Sequence, residues 1–126
     1  MTPSYRGFFI AYLILQALGA AAWWIGIFAS PPFREWFLAP GAPDQTLIAF
    51  LAADAVLFIG ASLASAALLF RRHRAATPVL WLTAGAISYG ALYTLGLSFL
   101  TGAAWPGSIP MTVAMFMTLT IAWRSR

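Results

Sequence analysis

Few side chains in this sequence could carry out chemistry, and the most unusual of them is Asp54. It lies in the stretch FLAADAVLFIGAS, residues 50–62, where every other residue is apolar or small. The chain has three acidic residues, and the other two, Glu35 and Asp44, lie outside such a run. An acid in an apolar segment is either a hydrogen-bonded structural residue or a site for a proton or a cation. Both interpretations stay open on this stretch alone.

The other reactive residue types do not form a familiar catalytic or metal site. The chain has no cysteine, which excludes disulfides, thiolate metal sites and thiol redox chemistry. Its single histidine, His73, lies in the basic stretch RRHR, and no second acid or histidine accompanies Asp54 to form a general acid/base pair. Met111, Met115 and Met117 fall in an apolar segment, where methionine is usually a packing residue. We therefore expect no enzyme, no catalytic residue, no metal site and no cofactor.

The composition indicates what surrounds Asp54. Of the 126 residues, 62% are hydrophobic and only 8% are charged, and the mean hydropathy is +0.84. Soluble domains carry about three times as many charges. No charged residue lies between Arg6 and Arg34 or between Arg74 and Arg124, and one bilayer span needs about 20 apolar residues. The sequence therefore predicts one integral membrane domain, residues 1–126, in which the net charge of +4 reflects topology rather than affinity for nucleic acid.

Caps and breakers divide the chain into an all-α fold with four transmembrane helices in an antiparallel bundle. The predicted spans are residues 7–29, 47–70, 77–100 and 109–123. Asp44 is placed to cap the second span, and Thr77-Pro78 is a typical helix start. The segment TGAAWPGSIP, residues 101–110, holds two glycines and two prolines and predicts a loop. The apolar stretch of residues 7–29 is too long for a signal peptide, whose apolar region has about 7–15 residues, so we expect a retained span.

The arginines predict the orientation of the spans. One side of a four-span arrangement carries six basic residues, namely Arg6, Arg71, Arg72, Arg74, Arg124 and Arg126. The other side carries Arg34 together with Glu35 and Asp44. The positive-inside rule then places both termini in the cytoplasm, and we expect a bacterial inner membrane. Arg71, Arg72 and Arg74 would lie near anionic lipid.

The first outer loop contains a second predicted feature, a short interfacial helix over residues 31–39. Phe33, Trp36 and Phe37 fall on one side of such a helix, and Arg34 falls elsewhere. One interpretation is an aromatic belt that anchors the loop in the headgroup region. The other is a lid, formed by Phe33, Arg34, Trp36 and Phe37, over a cavity that opens outward or sideways.

Helix geometry predicts which side chains share the depth of Asp54. At a rise of 1.5 Å per residue, Asp54 lies roughly 10 Å below the outer end of its helix. A carboxyl at that depth needs a hydrogen-bond partner, a proton or a cation. Trp23 and Tyr93 fall at a similar depth, and Tyr89, Gln16 and Ser62 fall deeper along the same polar seam. The predicted binding residues are Asp54, Tyr93, Trp23, Tyr89, Gln16 and Ser62. Arg34 is the only outer cation, and an inward fold of its loop would bring it to Asp54.

Two functions from different classes follow. In the first, the protein binds or transports a small cationic or amphipathic ligand, or a proton, in a cavity around Asp54. In the second, it is an accessory or scaffold subunit in which Asp54 is a structural hydrogen-bonding residue. The small residues Ala86, Gly90, Thr94, Ser98 and Gly102 recur at every fourth position and favour close helix packing. That packing could be internal, within a homodimer, or against a larger membrane complex.

Overall fold

A computed structural model describes residues 2–126, and these residues form helices and connections without any strand. The elements are α1 (Pro3–Ala29), α2 (Pro31–Glu35), α3 (Gln45–Phe70), α4 (Ala76–Thr101) and α5 (Trp105–Arg124). Over residues 2–126, four helices are long and apolar enough to cross a membrane, namely α1, α3, α4 and α5. The prediction of an all-helical chain with four helices of spanning length is thus confirmed.

Two connections differ from their predicted form. Residues 105–110 belong to α5, so the predicted loop over residues 101–110 is shorter. The chain turns instead at Gly102 and Ala104, both in the left-handed region with φ of 69° and 60°. Pro106 fits the first turn of α5 because backbone N–H groups there have no intrahelical partner. Asp44 does not cap α3 with its side chain, since its carboxylate pairs with Arg34.

Helix α3 is irregular where it carries Asp54. Its first part, Gln45–Ile48 and Leu51–Ala53, is followed by a π-helix over Asp54–Gly60 and then by a regular helix to Phe70. π-Helical turns are rare and often lie at functional sites. No residue from 28 to 57 is buried, so this part of α3 and the connection before it pack loosely on the other helices.

The tightly packed core lies toward the other end of the helices. Leu13 of α1, Leu80 of α4 and Ile121 of α5 are fully buried in one cluster. A second, smaller cluster includes Ile87 and Met115. Because all four long helices are packed at this end and α3 is loose at the other, a cavity remains beside Asp54.

The small-residue face of α4 packs within the chain over part of its length. Ser98 and Ser108 are both fully buried and hydrogen-bonded to each other, and the hydroxyl of Ser108 also lies 2.8 Å from the backbone oxygen of Thr94. A Cβ added at Gly90 would lie 3.0 Å from the Cε of Met111. Residues 90, 94 and 98 therefore bring α4 close to α5.

Candidate functional site

A cavity of about 610 Å³ lies among α1, α3, α4, α5 and the connection between α1 and α3. Ligand pockets for small molecules span roughly 300–1,000 Å³, so this one has room for such a ligand. Its wall is mainly apolar and aromatic, and Asp54 is its one acidic residue among those that the structure describes. The cavity exists because the first part of α3 stands away from α1 and α4 while the lower parts of all four long helices are packed.

One oxygen of the Asp54 carboxyl has a protein partner. The indole Nε1 of Trp24 donates a hydrogen bond to Oδ2 at 3.1 Å, and Trp24 itself is buried at 4% exposure. Within residues 2–126, no side chain or backbone group donates to Oδ1. A carboxylate has about four acceptor positions, so most of the acceptor capacity of Asp54 remains for whatever enters the cavity.

The structure separates the sequence-predicted site residues into two groups. Asp54, Tyr93, Trp23 and Gln16 all line the cavity. Tyr89 and Ser62 do not: the Tyr89 side chain is 72% exposed on the outer face of α4, and Ser62 is fully buried below the cavity. Tyr93 is not the hydrogen-bond partner of Asp54, and its ring packs instead against Phe50, with the two ring centroids 5.3 Å apart.

Sequence reasoning missed Trp24 as the direct partner of Asp54. Trp23 and Trp24 are neighbours at the same depth, and only one of them can face α3, because successive residues point in different directions around a helix. Trp23 instead forms cavity wall and packs edge-on against Phe37. The signal that could have identified Trp24 is its indole N–H, which needs an acceptor when it is buried.

A buried polar network closes the bottom of the cavity. Gln16 lines the cavity and donates from Nε2 to the hydroxyl oxygen of Ser62 at 2.9 Å. The hydroxyl of Thr118 donates to Oε1 of Gln16 at 3.2 Å and also lies 2.7 Å from the backbone oxygen of Ala114. These contacts join α1, α3 and α5 at one level and satisfy a polar group that would be costly to bury alone.

The predicted lid residues have different positions. Phe37 lines the cavity and packs against Trp23 and Phe33 with ring centroids 5.1 and 4.9 Å away. Phe33 covers Gly26, where an added Cβ would lie 2.8 Å from its ring, so α2 needs glycine at that point to approach α1. Trp36 is 62% exposed and does not line the cavity.

Arg34 does not neutralise Asp54. Its guanidinium pairs with Asp44, and its Nε donates to the backbone oxygen of Ile27 at 3.0 Å. The inward position of Arg34 that the sequence left open is therefore not adopted. Among residues 2–126, no arginine, lysine or histidine lies on the cavity wall. The electrostatic character of the site is that of one carboxyl group in a mainly apolar space.

The arrangement has limited chemical range. Across the described residues, no three His, Cys, Asp or Glu side chains come together as metal ligands. What the cavity wall offers is one carboxyl, the amide of Gln16, several aromatic rings, and hydroxyl-bearing residues, namely Tyr12, Thr46, Tyr93 and Thr94. These groups can hold a cation or a hydrogen-bond donor attached to an apolar body.

Comparison of the chain with models of protein families, with curated proteins and with solved structures gave no match. The fold defines the class, a helical chain with four helices of membrane-spanning length. Any assignment of function therefore depends on the geometry around Asp54.

Proposed function

We propose that this chain is an integral membrane protein that binds, and by extension transports, a small amphipathic cation in the cavity at Asp54. The observation that carries the proposal is the carboxyl of Asp54, a residue that lines a cavity of about 610 Å³ and whose Oδ1 has no donor among residues 2–126. A lone acid within a span is costly unless a proton or a cation accompanies it. A ligand cation would supply that partner.

The proposal includes an arrangement in the membrane. The four long helices would form an antiparallel bundle with both termini and the loop of Arg71, Arg72 and Arg74 on the cytoplasmic side, next to anionic lipid. The membrane would be a bacterial inner membrane. The short helix α2 would then lie at the outer interface, where its aromatic side chains favour the headgroup region. The cavity would occupy the outer half of the bilayer.

Aromatic rings support a cation rather than a neutral ligand. Trp23, Phe37, Phe50 and Tyr93 line the same cavity as Asp54. A cation within about 6 Å of an aromatic face gains roughly 0.5–2 kcal/mol, and more when it is desolvated. Such rings also provide apolar contact for the body of an amphipathic ligand.

Binding of octylamine and octanol, which share a chain and differ in the head group, tests the proposal. Purified protein in phosphatidylcholine nanodiscs would be titrated with radiolabelled octylamine, with empty nanodiscs as the blank and unlabelled octanol as the competitor. We expect saturable binding of octylamine, with octanol at least about tenfold weaker, because hydrogen bonds to charged groups contribute roughly 1.5–3 kcal/mol. Equal affinities, or no saturable binding, would contradict the proposal.

The hydrogen bond from Trp24 to Asp54 favours a second candidate function. In an accessory or scaffold subunit, this bond would join α1 to α3 and the cavity would have no ligand of its own. The chain would then act within a homodimer or a larger membrane complex. Loss of the fold on substitution of Asp54, without any amine binding by the unsubstituted protein, would favour this candidate.

A further inference from the structure

We infer that the cavity opens sideways, through a window between α1 and α5, and that its ligand is a single-chain amphiphilic amine taken from the bilayer. This inference rests on the proposed function, since it names the class of ligand and its route to Asp54. The window is the stretch between two helices that are linked by side chains at both ends of the cavity and that both line the cavity in between.

The two ends of the window are closed by side chains. At the bottom, Thr118 of α5 donates to Gln16 of α1 at 3.2 Å. At the top, Phe37 packs against Trp23 of α1, with ring centroids 5.1 Å apart, and against α5 at Gly107, where an added Cβ would lie 3.2 Å from the Phe37 ring. Between these two contacts α1 and α5 both contribute to the cavity wall.

The residues at the edges of the window, which we call its rims, line the cavity and are also exposed on the surface of the molecule. Leu15 lines the cavity and is nevertheless 69% exposed. Gly19 of α1 and Pro110 of α5 also line the cavity and are exposed. A Cβ added at Gly19 would meet no atom within 4 Å. In a four-span arrangement these rims face lipid, so a molecule dissolved in the bilayer reaches Asp54 without crossing a packed wall.

The other approaches to the cavity are more closed. Between α3 and α4, the rings of Phe50 and Tyr93 pack at 5.3 Å. At the end of the bundle, Leu38, Ala39 and Ala42 of the connection lie over the cavity. A water-soluble ligand would have to displace these groups, and a lipid-soluble one would not.

The shape and charge of the cavity indicate a single chain with an amine head. Its wall on α1 extends from Tyr12 to Trp23, a length of about 16 Å at 1.5 Å per residue. The wall of α3 places Asp54 between Phe50 and Phe58, with mainly apolar surface above and below it. A cationic or neutral amine can bind this carboxyl, whereas a phosphate head would be repelled by it.

The test compares variants at two glycines that have open space around them. Gly19→Trp places a large ring in the window, and Gly85→Trp places the same ring on an exposed part of α4 that does not line the cavity. Radiolabelled dodecylamine, supplied in phosphatidylcholine vesicles, is the probe, and its rate of binding to the protein in the same vesicles is measured. Butylamine is the water-soluble competitor with the same head group. Melting temperatures show whether each variant is folded. If Gly19→Trp does not fold, Gly19→Leu replaces it as the variant that narrows the window.

We expect Gly19→Trp to slow dodecylamine binding by at least about tenfold, with Gly85→Trp close to the unsubstituted protein and butylamine a poor competitor. If Gly19→Trp binds at the normal rate while Asp54→Asn abolishes binding, the window is wrong and the proposed function stands. If butylamine competes as well as unlabelled dodecylamine, the long-chain ligand is wrong. If neither amine binds saturably to the unsubstituted protein, the proposed function fails together with this inference.

Discussion

Replacing Asp54 by asparagine is expected to abolish the preference of the protein for octylamine over octanol while leaving its melting temperature nearly unchanged. Asparagine has the same shape and keeps an oxygen that can accept the hydrogen bond from Trp24. It loses the negative charge, so an amine cation gains no more than an alcohol. We expect octylamine affinity to fall by at least tenfold, or about 1.4 kcal/mol, as measured by equilibrium binding in nanodiscs.

Asp44→Asn is the matched control for this substitution. Asp44 is the other aspartate of the chain, it does not line the cavity, and it pairs with Arg34 on the surface. Exposed ion pairs contribute about 0–1 kcal/mol, so this variant should bind octylamine normally and stay folded. A large loss of stability in Asp54→Asn without any change in ligand preference would instead support the structural role of Asp54.

The second large effect concerns stability and compares two leucines on α4. Leu80 is fully buried in the cluster with Leu13 and Ile121, whereas Leu82 is 59% exposed. Leu80→Ala should lower the free energy of unfolding by about 2 kcal/mol, at the low end of the range for core leucines. The low end is expected because the unfolded helices remain in detergent micelles during the measurement, where a leucine side chain also finds an apolar environment.

Leu82→Ala should change the free energy of unfolding by less than about 0.5 kcal/mol, as is usual for exposed positions. Both values can be measured by reversible unfolding in mixed detergent micelles with increasing sodium dodecyl sulfate. Equal losses at the two positions would mean that α4 packs through a different face from the one described.

The four long helices could be predicted from the sequence because apolar length is a strong signal. The start of α5 was missed for a physical reason. Gly102, Pro106 and Pro110 together resemble a loop, yet the turn needs only the residues around Gly102 and Ala104. Pro106 is accepted in the first turn of α5, and Pro110 lies inside the helix. No pattern in the sequence predicts the π-helical turn that begins at Asp54.

The sequence predicts at which depth along the helices the candidate site lies, but only partly which side chains face it. The depth of Asp54 drew attention to Trp23 and Tyr93, which line the cavity with it, but not to Trp24, its hydrogen-bond partner, because depth does not fix the rotation of a helix. Tyr89, one turn from Tyr93, differs from it in angle by about 40° and faces outward, because Met111 packs against Gly90 at that level. Ser62 was placed beside the site and is instead the buried partner of Gln16.

The ion-pair partner of Arg34 also could not be predicted from the sequence. Its distance along the chain allowed contact with either Asp44 or Asp54, and sequence offers no rule that chooses between them. In the folded chain it pairs with Asp44 and bonds to the backbone of α1. That choice is what leaves the carboxyl of Asp54 without a cation from the described part of the chain.

The distance between a bound amine and the carboxyl of Asp54 would show whether this carboxyl holds the ligand. Protein labelled with ¹³C at aspartate contains only two such residues, Asp44 and Asp54, and the Asp44→Asn variant leaves Asp54 alone. Solid-state NMR dipolar recoupling with ¹⁵N-labelled dodecylamine in phosphatidylcholine bilayers would report that distance. We predict a nitrogen-to-carboxyl separation of about 4 Å, as in an ion pair. Saturable binding of the amine without measurable coupling to the Asp54 carboxyl would contradict the account.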